Sequence, residues 1–126
     1  MTGLLLFLII YGCPRTKKNS RQCGKNGITR PSKAYLTYAA TAYHQIIAGR
    51  LDKPIAEPVT VKALYYMNTH GIVDKVGLEQ GLHDLLVDRG ILADDNSRII
   101  VSTDGSRVLY DRMNPRTEIT ITRYTP

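Results

Sequence analysis

Residues 73–97 read VDKVGLEQGLHDLLVDRGILADDNS, and this stretch decides the architecture. Leu78, Leu82, Leu85 and Leu86 recur at helical spacing between residue 75 and about residue 89, which predicts one apolar stripe. Asp74 stands where an N-cap belongs, and Gly90 suits the C-terminal end. The turn formers Asp94, Asp95, Asn96 and Ser97 come next, and residues 98–102 (RIIVS) have the composition of a strand. Residues 59–66 (VTVKALYY), ahead of the helix, read as a strand as well. Strand, helix and strand in that order predict a helical crossover, with the second strand returning beside the first.

Working towards the N-terminus, the apolar run LLLFLIIY within residues 3–12 predicts a first strand buried on both faces, ended by Gly12 and Pro14. Residues 13–31 hold turn formers, basic side chains and almost no apolar surface, and read as a loop or basic arm. Ser32 is the expected N-cap of a helix over 33–51, in which Tyr35, Ala39, Ala42 or Tyr43, Ile46 and Ile47 recur at helical spacing. Towards the C-terminus, Asp104-Gly105-Ser106 form a turn, and a short strand near 108–110 is expected to complete a hairpin with RIIVS. After Asn114-Pro115, residues 117–122 (TEITIT) alternate, with Ile119 and Ile121 on one face. The expectation is a single α/β (α+β) domain over 1–126, a small mixed sheet with two helices.

The apolar fraction of 43% and charged fraction of 22% suit a globular domain rather than a disordered chain or coiled coil. Charge is unevenly spread. No acid precedes Asp52, whereas eight basic residues do (Arg15, Lys17, Lys18, Arg21, Lys25, Arg30, Lys33 and Arg50). The remainder carries nine basic and eleven acidic side chains. So local a positive field attracts polyanions, of which nucleic acid is the commonest, although basic residues also serve as plain solubilising surface. Cys13 and Cys23 make neither a disulfide framework nor a zinc spacing, which predicts free thiols in a reducing cytoplasm. The apolar run lacks a basic flank before it and is far shorter than the ~20 residues of a membrane span, so no membrane association is expected.

Asp74 and the Asp94–Asp95 pair are the carboxylates that a helix crossover could bring together. Metal-assisted phosphodiester hydrolysis uses such oxygen donors, because Mg²⁺ is held by few carboxylates, several waters and substrate phosphate. Each residue also has a purely structural reading. Asp74 could be only a cap, worth about 1 kcal/mol to its helix, and the Asp94–Ser97 segment only a turn. Local chemistry leaves both readings open.

Three blocks taken together resemble the RusA family of Holliday junction resolvases, particularly its phage and prophage members. The first is Gly12-Cys13-Pro14-Arg15-Thr16-Lys17-Lys18-Asn19-Ser20. The second runs Val73-Asp74-Lys75-Val76-Gly77-Leu78-Glu79-Gln80, then Asp84-Leu85-Leu86, then Gly90 through Asp94-Asp95-Asn96-Ser97. It is similar to the family's D-x-D-N-L helix start, D-A-L centre and D-D turn, at matching spacing. The third is Gly105-Ser106-Arg107 with Asn114-Pro115-Arg116-Thr117-Glu118-Ile119. The resemblance implies a homodimeric endodeoxyribonuclease that resolves four-way DNA junctions by paired symmetric nicks in recombination and repair, with Mg²⁺ or Mn²⁺. It implies catalytic roles for Asp74 and Asp95, with Asp94 beside them as a further metal ligand, and a cytoplasmic place in a bacterial host.

Three positions depart from the family pattern. Its second acid falls on Val76, which cannot bind metal, the asparagine after it falls on Gly77, and the lysine used by some members falls on Gln80. Glu79 is the nearest carboxylate that could compensate. At five residues beyond Asp74 it lies some 140° around a helix, so the two share an ion only if Asp74 sits outside the helix as a cap. The rival expectation is a branched-DNA-binding protein whose catalysis weakened with that acid.

Arg15, Lys17, Lys18, Arg21, Lys25 and Arg30 are expected to neutralise backbone phosphates, with Asn19 and Ser20 adding neutral hydrogen bonds. Lys75 is a further candidate for the scissile phosphate, since a lysine in a helix's first turn opposes the helix dipole. His44, His70 and His83 show no ligand spacing, and zinc is not expected. The eight tyrosines are read as core and dimer packing before base stacking.

Overall fold

The alternation of side chains along three long strands sets the architecture of the computed structural model, which describes residues 3–16, 21–23, 29–31, 33–46 and 51–126, with the backbone alone at 21–23 and 29–31. The elements in chain order are β1 (Leu4–Tyr11), β2 (Arg21–Cys23), β3 (Thr29–Pro31), α1 (Lys33–Gln45), β4 (Val59–Met67), α2 (Lys75–Asp88), β5 (Ile100–Ser102), β6 (Arg107–Tyr110) and β7 (Arg116–Arg123). On β4, Val59, Val61, Ala63 and Tyr65 are buried, and on β7 Thr117, Ile119 and Ile121. The intervening residues are half-exposed. A period of two with one apolar phase makes a sheet covered on one side only.

The sheet has five strands in the order β1-β7-β4-β5, with β6 also on β4. The last strand, β7, is inserted antiparallel between β1 and β4, while β5 and β6 run parallel to β4. Both helices join one core cluster with the sheet, through Ala42 and Ile46 after α1's buried Tyr35, and through Leu78, Leu82, Leu85 and Leu86 of α2. Each such leucine contributes roughly 1.5–3 kcal/mol by leaving water.

The expected stripe and both ends of α2 are present. Asp74 is the N-cap. At the other end Gly90 takes φ +75°, Ile91 N–H donates to Leu86 O (2.9 Å) and Gly90 N–H to Val87 O (3.0 Å). Those two bonds form a Schellman motif, in which glycine meets no Cβ penalty. The crossover then closes as Ile55 and Leu92 bridge, and β5 begins against Val59.

Four expectations change. The first strand is not buried on both faces: Leu6, Leu8 and Ile10 are buried, but Leu4 (51%), Phe7 (44%) and Tyr11 (54%) are exposed. No helix of the described residues packs on that second face, so an all-apolar run carries a one-sided strand. Second, β5 and β6 are not a hairpin. Both pair parallel with β4, at Val59–Thr60 and Leu64–Met67, as one edge strand interrupted by a turn. In the interruption Ser106 Oγ accepts the Ala63 N–H (3.0 Å), replacing the missing strand partner. Third, α1 ends at Gln45 and Leu51 is not helical; residues 47–50 and the expected cap Ser32 lie outside the described residues. Arg89 closes this end by donating from Nε to Ile46 O (2.8 Å) and lying over the Tyr43 ring at 4.0 Å. Fourth, the basic arm contains a small antiparallel pair, β2 with β3, separate from the main sheet.

Candidate functional site

The first and third sequence blocks meet behind β1. Gly12 leaves the strand at φ +113°, a conformation that favours glycine. Its N–H donates to Pro115 O (3.0 Å). Pro14 is fully buried, and the Cys13 thiol donates to Asn68 Oδ1 (3.2 Å) in the loop after β4. Thr16 is buried as well. The root of the basic arm is thereby fixed in the fold before the arm begins.

Thr16 also reaches the second block. A Cβ built on Gly77 would stand 3.0 Å from Asp74 Oδ2 and 3.3 Å from Thr16 Cγ2. The Asp74 carboxylate and the arm's root therefore share the first turn of α2, and Gly77 leaves the space both occupy. Asp74 has extended backbone geometry (φ −76°, ψ 101°), yet its side chain makes no capping hydrogen bond. A cap aspartate ordinarily accepts from the N–H two or three residues on, and this one does not.

Lys75 and Glu79 pair with each other across one helical turn, Nζ to Oε1 at 2.9 Å. That oxygen is buried and the ammonium lies off its hydrogen-bond line, so Oε1 has an ion-pair partner without a hydrogen bond. The neighbouring Tyr65 hydroxyl is buried without a hydrogen-bond partner too. Burial raises its pKa above the usual phenol value, and the Glu79 charge adds to the rise. Glu79 thus faces inward to Tyr65 and sideways to Lys75. Val76, at the position of the family's second acid, is exposed.

The turn after α2 divides its two acids between tasks. Asp94 Oδ1 accepts from the Asp95 N–H (2.7 Å) and Oδ2 from Asn96 Nδ2 (3.0 Å). The backbone bond first, then the Asn96 amide, hold the Asp94 carboxyl below the usual carboxylate range. Asn96 carries the turn onward by accepting the Arg98 N–H at its side chain (3.0 Å). Asp94 is the turn-maker, whereas Asp95 is exposed and lines a cavity of about 660 Å³ between the helices, with Tyr35, Tyr43, Asp84 and Asp88.

His83 connects these groups, and sequence spacing missed it. Burial lowers its pKa, opposed by the charges of Glu79, Asp95 and Asp84. One imidazole therefore stands within electrostatic reach of both Glu79 and Asp95. The readable signal was the Glu79–His83 separation of four, which places both side chains on one helix face. Asp74 lies nine residues before His83, about 13 Å along the helix axis. Among the described residues, no three His, Cys, Asp or Glu side chains gather in a metal-binding group. The structure thus places Asp74 beside the arm's root and Asp95 within electrostatic reach of His83, and among the described residues does not gather the two acids with a third donor.

Of the expected DNA contacts, Arg15 is exposed at the arm's root. Lys17, Lys18, Asn19, Ser20 and Lys25 lie outside the described residues, and Arg21 and Arg30 are described in backbone only, within β2 and β3. No helix among the described residues is long and apolar enough to cross a membrane. No protein-family model matches the chain, and no curated protein matches it.

Proposed function

We propose that this chain is a Mg²⁺- or Mn²⁺-dependent endodeoxyribonuclease of the RusA type, cutting four-way DNA junctions as a homodimer in the cytoplasm of a bacterial host carrying phage-derived genes. One observation carries the reading: Asp74, the N-cap carboxylate of α2 that makes no capping hydrogen bond, shares its turn with Thr16, the root of the basic arm. A phosphate backbone held by the arm is thereby led to a hard oxygen donor. Asp74 and Asp95 suit Mg²⁺ in donor type, as carboxylates that can bind beside water and substrate phosphate. The metal, when bound, supplies an activated water and neutralises charge on the leaving oxygen. The residues' own part is to orient the phosphate through the arm, to keep Asp74 free of its helix, and to present Asp95 on a turn built by Asp94 and Asn96. Homodimerisation follows from the reaction, since two opposed nicks require two sites related by a two-fold axis.

A second reading, a branched-DNA-binding protein with weakened catalysis, draws on Val76 in place of an acid and on Glu79 being engaged by Lys75. Incubation with a labelled four-way junction and Mg²⁺ separates the two. Paired symmetric nicks, lost in Asp95→Asn and Asp74→Asn, support the nuclease. Tight junction binding without cleavage in either Mg²⁺ or Mn²⁺ supports the binding protein.

A further inference from the structure

Two grooves flank α1, and their charges are opposite. The cavity towards α2 is lined by Asp84, Asp88 and Asp95. The other, of about 480 Å³, lies between α1 and the segment leaving β1, with Gly12, Cys13 and Arg15 on one wall and Lys33, Thr37 and Tyr38 on the other. Among the described residues no carboxylate lines it. Neither Arg15 nor Lys33 enters an ion pair among the described residues. The first turn of α1 contains no acid that could offset them. Two uncompensated cations facing one concavity repel each other, and an anion between them relieves that repulsion. The Thr41 hydroxyl is spent on Thr37 O (2.6 Å), but the Thr37 side chain is exposed at the groove.

We propose that this groove is a second seat for the phosphodiester backbone of nucleic acid. Arg15 and Lys33 each neutralise a phosphate there, and Thr37 donates a hydrogen bond to a phosphate oxygen. The assignment deepens the reading of the chain as a DNA-acting enzyme, and rests on it for the source of the phosphates. It adds the exposed face of α1 to the DNA path. Arg15 adjoins Thr16, which packs at Gly77 beside Asp74, so the groove and Asp74 share the root of the arm.

The test is binding without divalent cations, so it does not depend on cleavage. Fluorescence anisotropy of a labelled four-way junction is followed against salt for the full chain and for Lys33→Gln and Thr37→Ala, with circular dichroism to check folding. Losing one phosphate contact lowers the slope of log K against log salt by about 0.9, which at 0.1 M salt weakens binding about eightfold. Lys33→Gln should show both changes, and Thr37→Ala a smaller loss with the slope unaltered. As a second readout, Cys13 is alkylated in a Cys23→Ser chain. DNA at about ten times its Kd should slow the reaction about tenfold by mass action. Unchanged affinity and slope in Lys33→Gln, or Cys13 alkylation indifferent to DNA, overturns the proposal. Equal protection of Cys13 by inorganic phosphate also overturns it, since the groove is then a small-anion site. Junction binding that meets these expectations without nicking removes the nuclease reading and leaves the groove; nicking with an unaltered slope does the reverse.

Discussion

Replacing Gly77 by alanine separates what α2 gains as a helix from what the site loses. Glycine costs a helix interior about 1 kcal/mol relative to alanine. Over 126 residues, with about 2.1 cal/mol/K of unfolding entropy per residue, that amounts to about 4 °C in Tm. Position 77 is in the first turn, so this is the upper bound. Against it stands crowding, because the new methyl would lie 3.0 Å from Asp74 Oδ2 and 3.3 Å from Thr16 Cγ2. These atoms must move by a few tenths of an ångström. The carboxylate is exposed enough to swing aside, so Gly77→Ala is expected to melt within about 4 °C of the parent. The same movement displaces Asp74 from the position proposed for it beside the phosphate. Misplacing a catalytic group by about 1 Å can cost on the order of 100-fold, and a shift of a few tenths should cost about tenfold in junction nicking. The assay pairs calorimetric melting with single-turnover cleavage of a four-way junction in Mg²⁺. An enzyme of normal stability with undiminished cleavage would refute the reasoning, since Asp74 could not then be needed where it stands.

Three further outcomes follow from the packing and the ionisation. Leu86→Ala empties a fully buried position of α2 and should cost about 3 kcal/mol, or about 11 °C in Tm; urea denaturation yielding less than about 1 kcal/mol would show that the core collapses around it. Ser106→Ala removes the acceptor of the Ala63 N–H and should cost about 1–3 kcal/mol, with faster hydrogen exchange at Ala63 as the local signature. The His83 pKa is lowered from the ordinary 6.5, first by burial. Below that pH the unfolded chain takes up a proton that the folded imidazole resists, so stability falls as pH drops from 6.5 towards the folded-state pKa. His83→Gln should flatten that part of the stability-versus-pH curve, and an unchanged curve would count against a resisted protonation at His83.

Asp95 and His83 mark the boundary between local and non-local information. Their neighbourhood depends on how the turn after Gly90 folds back on α2, and side chains from separate segments leave no period in a sequence.

The elements whose signals are local were legible. The α2 stripe follows from spacing, Asp74 and Gly90 bound it by backbone geometry, and the alternation of β7 assigns Ile119 and Ile121 to one face. The sequence by itself therefore determined a helix crossover and a small mixed sheet, and its uneven charge marked the arm. Tertiary structure alone decided the rest. Eight consecutive apolar and aromatic residues in β1 cannot reveal that only one face finds a cover. The short segments of β5 and β6 could pair with each other or with β4, and β4 wins by offering a long, half-buried edge on which Ser106 repairs the break. The meeting of Thr16 with Asp74 required the two blocks to fold against each other, with a glycine between them small enough to let them touch. Spacing along a chain fixes which side chains share an element's face, whereas contact between elements is set by packing and hydrogen bonding across the whole domain.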